Sequence, residues 1–286
     1  MEDSSKILIN FNEFQKILAN VDSILIFDAT YYLPNTGLVA KDEYEKEHIV
    51  NSLFFDIDKI SDPNEKILPH MFPSKETFTY HMQKFGLNDN DTIVIYDNSP
   101  LFSSARCWFL LRYFGKKKVY IFQGGIQEWK KNGGKTKSFK DNKKFQKGNF
   151  IAQEKNTELL IKIDEIKKTS ISKSKKILDA RSFERFSGKG KEPRSGLQSG
   201  HIPNSLNLPA TILISSKGFL IEENHFASIL KKMNIYKNEG LIATCGSGVS
   251  ACVIALVFYC SGNQNISIYD GSWTEWASKG NPINKL

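Results

Sequence analysis

The chain has 286 residues, 40% hydrophobic and 12% aromatic, with a formal net charge of +8. That length suits two domains that each bury an apolar core, and the composition excludes extended disorder. The longest apolar run, Ala251 to Cys260, is about half of what a bilayer-spanning helix requires, so no membrane partner is expected. The lysines are scattered, with modest clusters at Lys116 to Lys118 and Lys135 to Lys147, and no nucleic-acid module surrounds them. A solvated basic surface is expected, with a general pull on small anions and no nucleic-acid partner. The acidic opening Met1-Glu2-Asp3-Ser4-Ser5 lacks the basic residues of a leader, and the expected location is cytoplasmic, with mitochondrial entry left open.

In chain order, the first predicted strand is Ile24 to Ala29, which carries Asp28 near its end, and a turn over Glu47 to Ser52 follows. A helix is predicted over Lys75 to Phe85, a strand over Thr92 to Asp97, a helix over Ser103 to Phe114, and a strand-turn-helix passage from Val119 to Trp129. The stretch Gly133 to Asn156, rich in Lys, Asn, Gly and Gln, reads as linker. The pattern then returns: Lys176 to Arg181, the turn Gly200 to Ser205, a helix over Asn224 to Met233, a strand over Gly240 to Cys245, a helix over Val249 to Tyr259, and Ile266 to Trp276. Four matches in one order mean a duplicated domain. The expected division is a first domain over 7–134, a linker over 135–156 and a second domain over 157–286. Strand-like runs alternating with helical patterns predict an α/β fold, each domain a parallel β-sheet flanked by helices. In such sheets ligands gather where loops leave the carboxyl ends of strands.

One such loop carries reactive chemistry. Cys245-Gly246-Ser247-Gly248-Val249-Ser250 follows a predicted strand and opens a predicted helix, so its amides can converge into an anion nest that stabilises a thiolate. Gly246 and Gly248 supply the dihedral freedom and close approach that such a ring needs. Ser250 reads as the helix N-cap and as part of the loop lining. Cys252 and Cys260 fall inside the following helix and Cys107 inside its first-repeat counterpart, and all three read as inert core cysteines. The thiols read as reduced, since their spacing fits neither a zinc site nor a disulfide framework. A phosphatase reading needs an arginine six residues after the cysteine to hold an oxyanion, and Ala251 stands there.

The loop Cys245-Gly-Ser-Gly-Val-Ser-Ala251 resembles the active-site loop of the 3-mercaptopyruvate sulfurtransferase family, tandem-domain relatives of rhodanese. The resemblance extends to His48-Ile49, His201-Ile202-Pro203, Phe54 to Asp58 and Tyr269 to Trp276. It implies two tandem rhodanese-like domains with one active site, the first domain being silent because Asp97 stands where the second has Cys245. It implies that Arg185 and Arg194 hold the substrate's carboxylate and keto group, and that Gly246, Gly248, Val249 and Ser250 line the site. It further implies that Ser247 works with His70 and Asp58, both carried by the first repeat, as a proton relay. The histidine lies in Leu68-Pro69-His70-Met71-Phe72-Pro73, which departs slightly from the family's usual surroundings.

The expected activity is sulfur transfer from 3-mercaptopyruvate through a Cys245 persulfide to thioredoxin, another dithiol or cyanide, with release of pyruvate. No cofactor or metal is expected. Thiosulfate as donor, and a non-enzymatic binding or sulfur-carrier module, stay open as alternatives.

Overall fold

A computed structural model describes residues 6–139, 146–236 and 239–286. They form two compact units, one of residues up to Asn64 and Phe72–Asn156, the other of Glu65–Met71 and Thr157–Leu286.

The first unit contains β1 (Leu8–Ile9), α1 (Phe11–Asn20), β2 (Ile24–Asp28), α2 (Ala40–Lys46), β3 (His48–Ile49), β4 (Ser52–Phe54), α3 (Ile57–Ile60), α4 (Lys75–Lys84), β5 (Thr92–Tyr96), α5 (Ser104–Tyr113), β6 (Val119–Phe122), α6 (Gly125–Lys131) and β7 (Thr136–Lys137). Five of the strands make a parallel sheet in the order β1-β6-β5-β2-β4. β5 is buried along its whole length, as a central parallel strand covered on both faces must be, and its Thr-Ile-Val-Ile-Tyr sequence suits that. A capping box closes the start of α1, with Glu13 N–H donating to Asn10 Oδ1 and Asn10 N–H donating to Glu13 Oε2. Phe14 on α1 packs at 5.0 Å from Trp129 of α6, so the first and last helices of the unit share one core.

The second unit repeats the plan with β8 (Leu160–Ile161), α7 (Ile163–Ser172), β9 (Lys176–Asp179), α8 (Phe183–Ser187), β10 (Ser205–Asn207), α9 (Glu223–Lys232), β11 (Leu241–Thr244), α10 (Ala251–Cys260), β12 (Ile266–Tyr269) and α11 (Ser272–Ser278). Its parallel sheet runs β10-β9-β11-β12-β8, the same topology traced from the opposite edge. α10 is apolar all round, and its first eight residues are buried, as a helix without a polar face requires. Trp273 and Trp276 sit fully inside the core with Ile177 and Ile242. The correspondence of the units reaches single hydrogen bonds. Ala29 N–H donates to Tyr96 O at 2.9 Å in one, and Ala180 N–H to Thr244 O at 2.8 Å in the other. His48 and His201 close equivalent turns: Nδ1 lies 2.8 Å from Tyr44 O and 2.9 Å from Phe186 O, with each ring stacked on the aromatic it bonds.

The structure differs from the sequence reading in four places. Residues 146–156, taken as linker, are strapped onto the first unit: Phe150 and Ala152 are buried, and Gln153 N–H donates to Phe114 O. Their polar neighbours hid these two apolar anchors. Of the rest of that stretch, β7 pairs antiparallel with β3, and residues 140–145 lie outside the described residues. Lys116, read as part of a solvated cluster, is buried, and its Nζ donates to Asn88 O and Asp89 O while burial pushes the ammonium down to about 8. Cys260 is exposed at the last residue of α10 and not in the core, whereas Cys107 is buried and its thiol pushed well up. Residues 65–71, numbered within the first repeat, belong to the second unit. Among the described residues, no helix is long and apolar enough to cross a membrane.

Candidate active site

Between β11 and α10 the chain must turn from strand to helix, and the first residues of α11 determine how it does so. Trp273 N–H donates to Cys245 O at 2.9 Å, while Thr274 donates to Gly246 O from both its N–H, at 3.0 Å, and its Oγ1, at 2.7 Å. A trans peptide points its C=O and N–H in opposite directions. Turning the carbonyls of residues 245 and 246 toward α11 therefore turns the amides of Gly246 and Ser247 away from it. Among the described residues no acceptor takes up the amides of Gly246, Ser247, Val249, Ser250 or Ala251. Gly248 adopts φ +78°, the left-handed conformation that a side chain disfavours. Gly246 lies outside that region and is needed for a different reason. A Cβ built on it would stand 3.1 Å from Arg185 Nη2 and 3.7 Å from Arg194 Nη1, so both guanidiniums lie over this glycine.

Amides without acceptors at the start of a ten-residue helix form a cradle for negative charge. The first unit shows what such a loop holds. There Asp97 takes the place of Cys245, its Oδ1 accepting from Ser99 N–H and Oγ–H at 3.0 Å, and its Oδ2 from Ser104 N–H at 2.9 Å, the first amide of α5. Burial pushes this carboxyl up, opposed by those same hydrogen bonds. The chain's own carboxylate meets the first amide of α5; in the second unit the amide of Ala251, the first residue of α10, has no acceptor among the described residues.

Of the residues singled out from sequence, Cys245, Ser247, His70, Arg185 and Arg194 come together in the second unit. His70 is buried, holds the left-handed φ of +61° and places Nδ1 2.8 Å from Ser247 Oγ. A non-glycine residue there carries about 1–3 kcal/mol of strain, which persists where the surroundings dictate it. The carboxylate of Glu65 shapes the turn that delivers it by accepting from Ile67 N–H at 2.7 Å and Leu68 N–H at 3.0 Å. Arg194 Nη2 reaches Ser247 Oγ at 3.4 Å. Val249 is buried. Asp58 is exposed in the first turn of α3, in the first unit.

Two expectations need correction. Ser250 occupies the N-cap position of α10 but already has helical dihedrals, φ −73° and ψ −16°, and its hydroxyl makes no capping bond. Cys245, read from sequence as a reactive thiol at the mouth of a loop, is only 2% exposed. What covers the neighbouring glycine is guanidinium and not hydrocarbon. Cys252 Sγ is turned away to donate to Gly248 O at 3.2 Å. Among the described residues, no group of three His, Cys, Asp or Glu side chains is placed to hold a metal ion.

Sequence reasoning missed two contributors. Ser272 is buried at φ +50°, accepts from Cys245 N–H at 3.3 Å and donates to Tyr269 O at 2.9 Å. Its counterpart Gly125 has φ +57°, so the signal was a serine at a position whose repeat partner is glycine. Glu192 grips Arg185, with Oε2 2.6 Å from Nη2, and also accepts from Arg181 Nη1 at 2.8 Å. Nothing in the local sequence marks it.

The model of the rhodanese-like domain matches residues 11–132 and 162–279. The chain is 35% identical over 276 residues to the thiosulfate/3-mercaptopyruvate sulfurtransferase 2 of Arabidopsis thaliana, covering 90% of this chain and 80% of that protein. It is 34% identical over 259 residues to the 3-mercaptopyruvate sulfurtransferase of Homo sapiens, covering 90% and 86%. It superposes on the crystal structure of the Tum1 protein from Saccharomyces cerevisiae with a TM-score of 0.89 at 33% identity, covering 98% of each chain.

Proposed function

Because the chain belongs to the rhodanese-like domain family, with one copy of the domain in each half, we propose that it is a 3-mercaptopyruvate sulfurtransferase with Cys245 as its sulfur carrier. The observation that supports this most is the Cys245 loop, where the amides of Gly246, Ser247, Val249, Ser250 and Ala251 have no acceptor among the described residues while Arg185 and Arg194 overhang Gly246. Amide donors on one side and guanidiniums on the other suit a bound anion better than any neutral ligand.

In this mechanism the carboxylate of 3-mercaptopyruvate lies against the two arginines, which bring its sulfur to Cys245. The thiolate attacks that sulfur and the carbon–sulfur bond breaks, leaving a Cys245 persulfide and the enolate of pyruvate. Ser247, bonded to His70 Nδ1, passes a proton to the enolate carbon. The persulfide anion that remains is stabilised by the loop amides, as the Asp97 carboxylate is by those of the first unit. Its outer sulfur then moves to a thiol of thioredoxin or another dithiol, releasing sulfide, or to cyanide, releasing thiocyanate. Asp58 keeps its assignment in the relay on family likeness, and Asp58→Asn tests it.

Thiosulfate is the second donor to consider, since the Arabidopsis relative's name includes both compounds. Incubation with 3-mercaptopyruvate followed by peptide mass spectrometry should find one added sulfur atom on Cys245 and none in Cys245→Ser. An unmodified Cys245 together with undetectable pyruvate would refute the proposal. A higher specificity constant for thiosulfate would reassign the donor.

A further inference from the structure

The two guanidiniums over Gly246 differ in their electrical surroundings. Arg181, buried under Trp273 with its guanidinium carbon 4.1 Å from the ring, is bound by Asp179 at 2.6 Å and Gly200 O at 2.7 Å. Its remaining arm reaches Glu192 Oε1 at 2.8 Å. Glu192, its side chain only 2% exposed, completes the chain of contacts by gripping Arg185 through Nε at 3.2 Å and Nη2 at 2.6 Å. Within this linked set of Asp179, Arg181, Glu192 and Arg185 the charges cancel. Arg194 has no carboxylate partner among the described residues and is the uncompensated cation over the loop.

We propose that Glu192 sets donor selectivity: by neutralising Arg185 while holding it over Gly246, it matches the anion site to a donor with one negative charge and disfavours one with two. A buried anion is tolerated only as far as opposite charge compensates it. A 2-oxo acid brings one carboxylate charge, which Arg194 meets, while Arg185 supplies direction and hydrogen-bond donors without net charge. Thiosulfate brings two charges, and the second goes unmatched. Glu192 is a positioning and specificity residue, with no contact to the reacting sulfur.

This rests on the sulfurtransferase reading, and the test separates the two. In the full chain, kcat/KM is measured with 3-mercaptopyruvate and with thiosulfate for the parent, Glu192→Gln, Glu192→Asp and Arg185→Gln. Removing the carboxylate charge should move the thiosulfate-to-mercaptopyruvate ratio toward thiosulfate by roughly tenfold, the effect of one elementary charge in a partly screened site. Glu192→Asp should keep the parent ratio. Arg185→Gln, which alters a partly exposed side chain and keeps Glu192, should move the ratio the opposite way, and it serves alone if Glu192→Gln does not fold. A purely structural role would lower both constants together, and that outcome, or a shift of the same sign in Glu192→Gln and Arg185→Gln, overturns the inference. If the parent loads sulfur on Cys245 from neither donor, the underlying functional reading fails instead.

Discussion

Gly246→Ala isolates the geometry on which the site depends. The added methyl would stand 3.1 Å from Arg185 Nη2, tighter than ordinary contact by about 0.3 Å. An untethered guanidinium would simply move aside. Arg185 is held at 2.6 Å by Glu192, itself bonded to the buried Arg181, so its retreat stretches a charge-assisted pair. A misdirected arginine forfeits one hydrogen bond to the substrate carboxylate, worth about 1.5–3 kcal/mol. That corresponds to a loss of about 10- to 100-fold in kcat/KM. The loss should fall mainly on KM, since the contact exists in both the bound and the transition state. Stability should change by less than about 1 kcal/mol, because residue 246 lies outside the left-handed region and alanine restricts the unfolded chain. Steady-state kinetics with 3-mercaptopyruvate and a urea titration on the same preparation make the comparison. A variant within about twofold of the parent in kcat/KM would show that the arginines do not depend on the space above this glycine, and the proposed carboxylate site would be wrong.

Gly248→Ala, at φ +78°, should instead lose about 1–2 kcal/mol of stability in the same titration. Ser272→Ala removes the acceptor for Cys245 N–H and should lower kcat/KM by about tenfold, with less than about 2 kcal/mol lost in stability. Gly148→Ala would drive a methyl to 2.0 Å from Leu87 O, and a loss of about 2–3 kcal/mol in thermal unfolding would verify that 146–156 belongs to the first unit's fold. Burial pushes the Asp28 carboxyl up to about 6 from its ordinary 3.8, against the hydrogen bonds from Thr30. A raised carboxyl favours the folded state below pH 4, and the benefit, on the order of 2–3 kcal/mol, is lost as pH rises through 6. Asp28→Asn should therefore flatten the stability profile between pH 4 and 6 and raise it at pH 8; an unchanged slope in unfolding curves at pH 4.5 and 8 would refute this assignment.

The duplicated architecture was legible because strand periodicity and turn chemistry are local: Asp28 and Asp179 end equivalent strands, and His48 and His201 close equivalent turns. The strand-turn-helix setting of Cys245 was legible for the same reason, a glycine-rich turn between an apolar strand and an apolar helix. Arg185 and Arg194 were found as a pair of equals, and the carboxylate that distinguishes them could not be, because Glu192 reaches Arg185 through folding and not through spacing. The attachment of 146–156 was masked by a composition that resembles a tether although Phe150 packs against Phe78. Residues 65–71 have no periodicity at all, so only the folded chain reveals which unit they join.

That last feature bears on where the chain can be cut. Residues 65–71 lie inside the first repeat by number and in the second unit by folding. Severing the chain at the repeat boundary near residue 156 therefore separates Ser247 from the histidine that bonds its hydroxyl, and takes from the second unit a passage that its own half of the sequence does not encode.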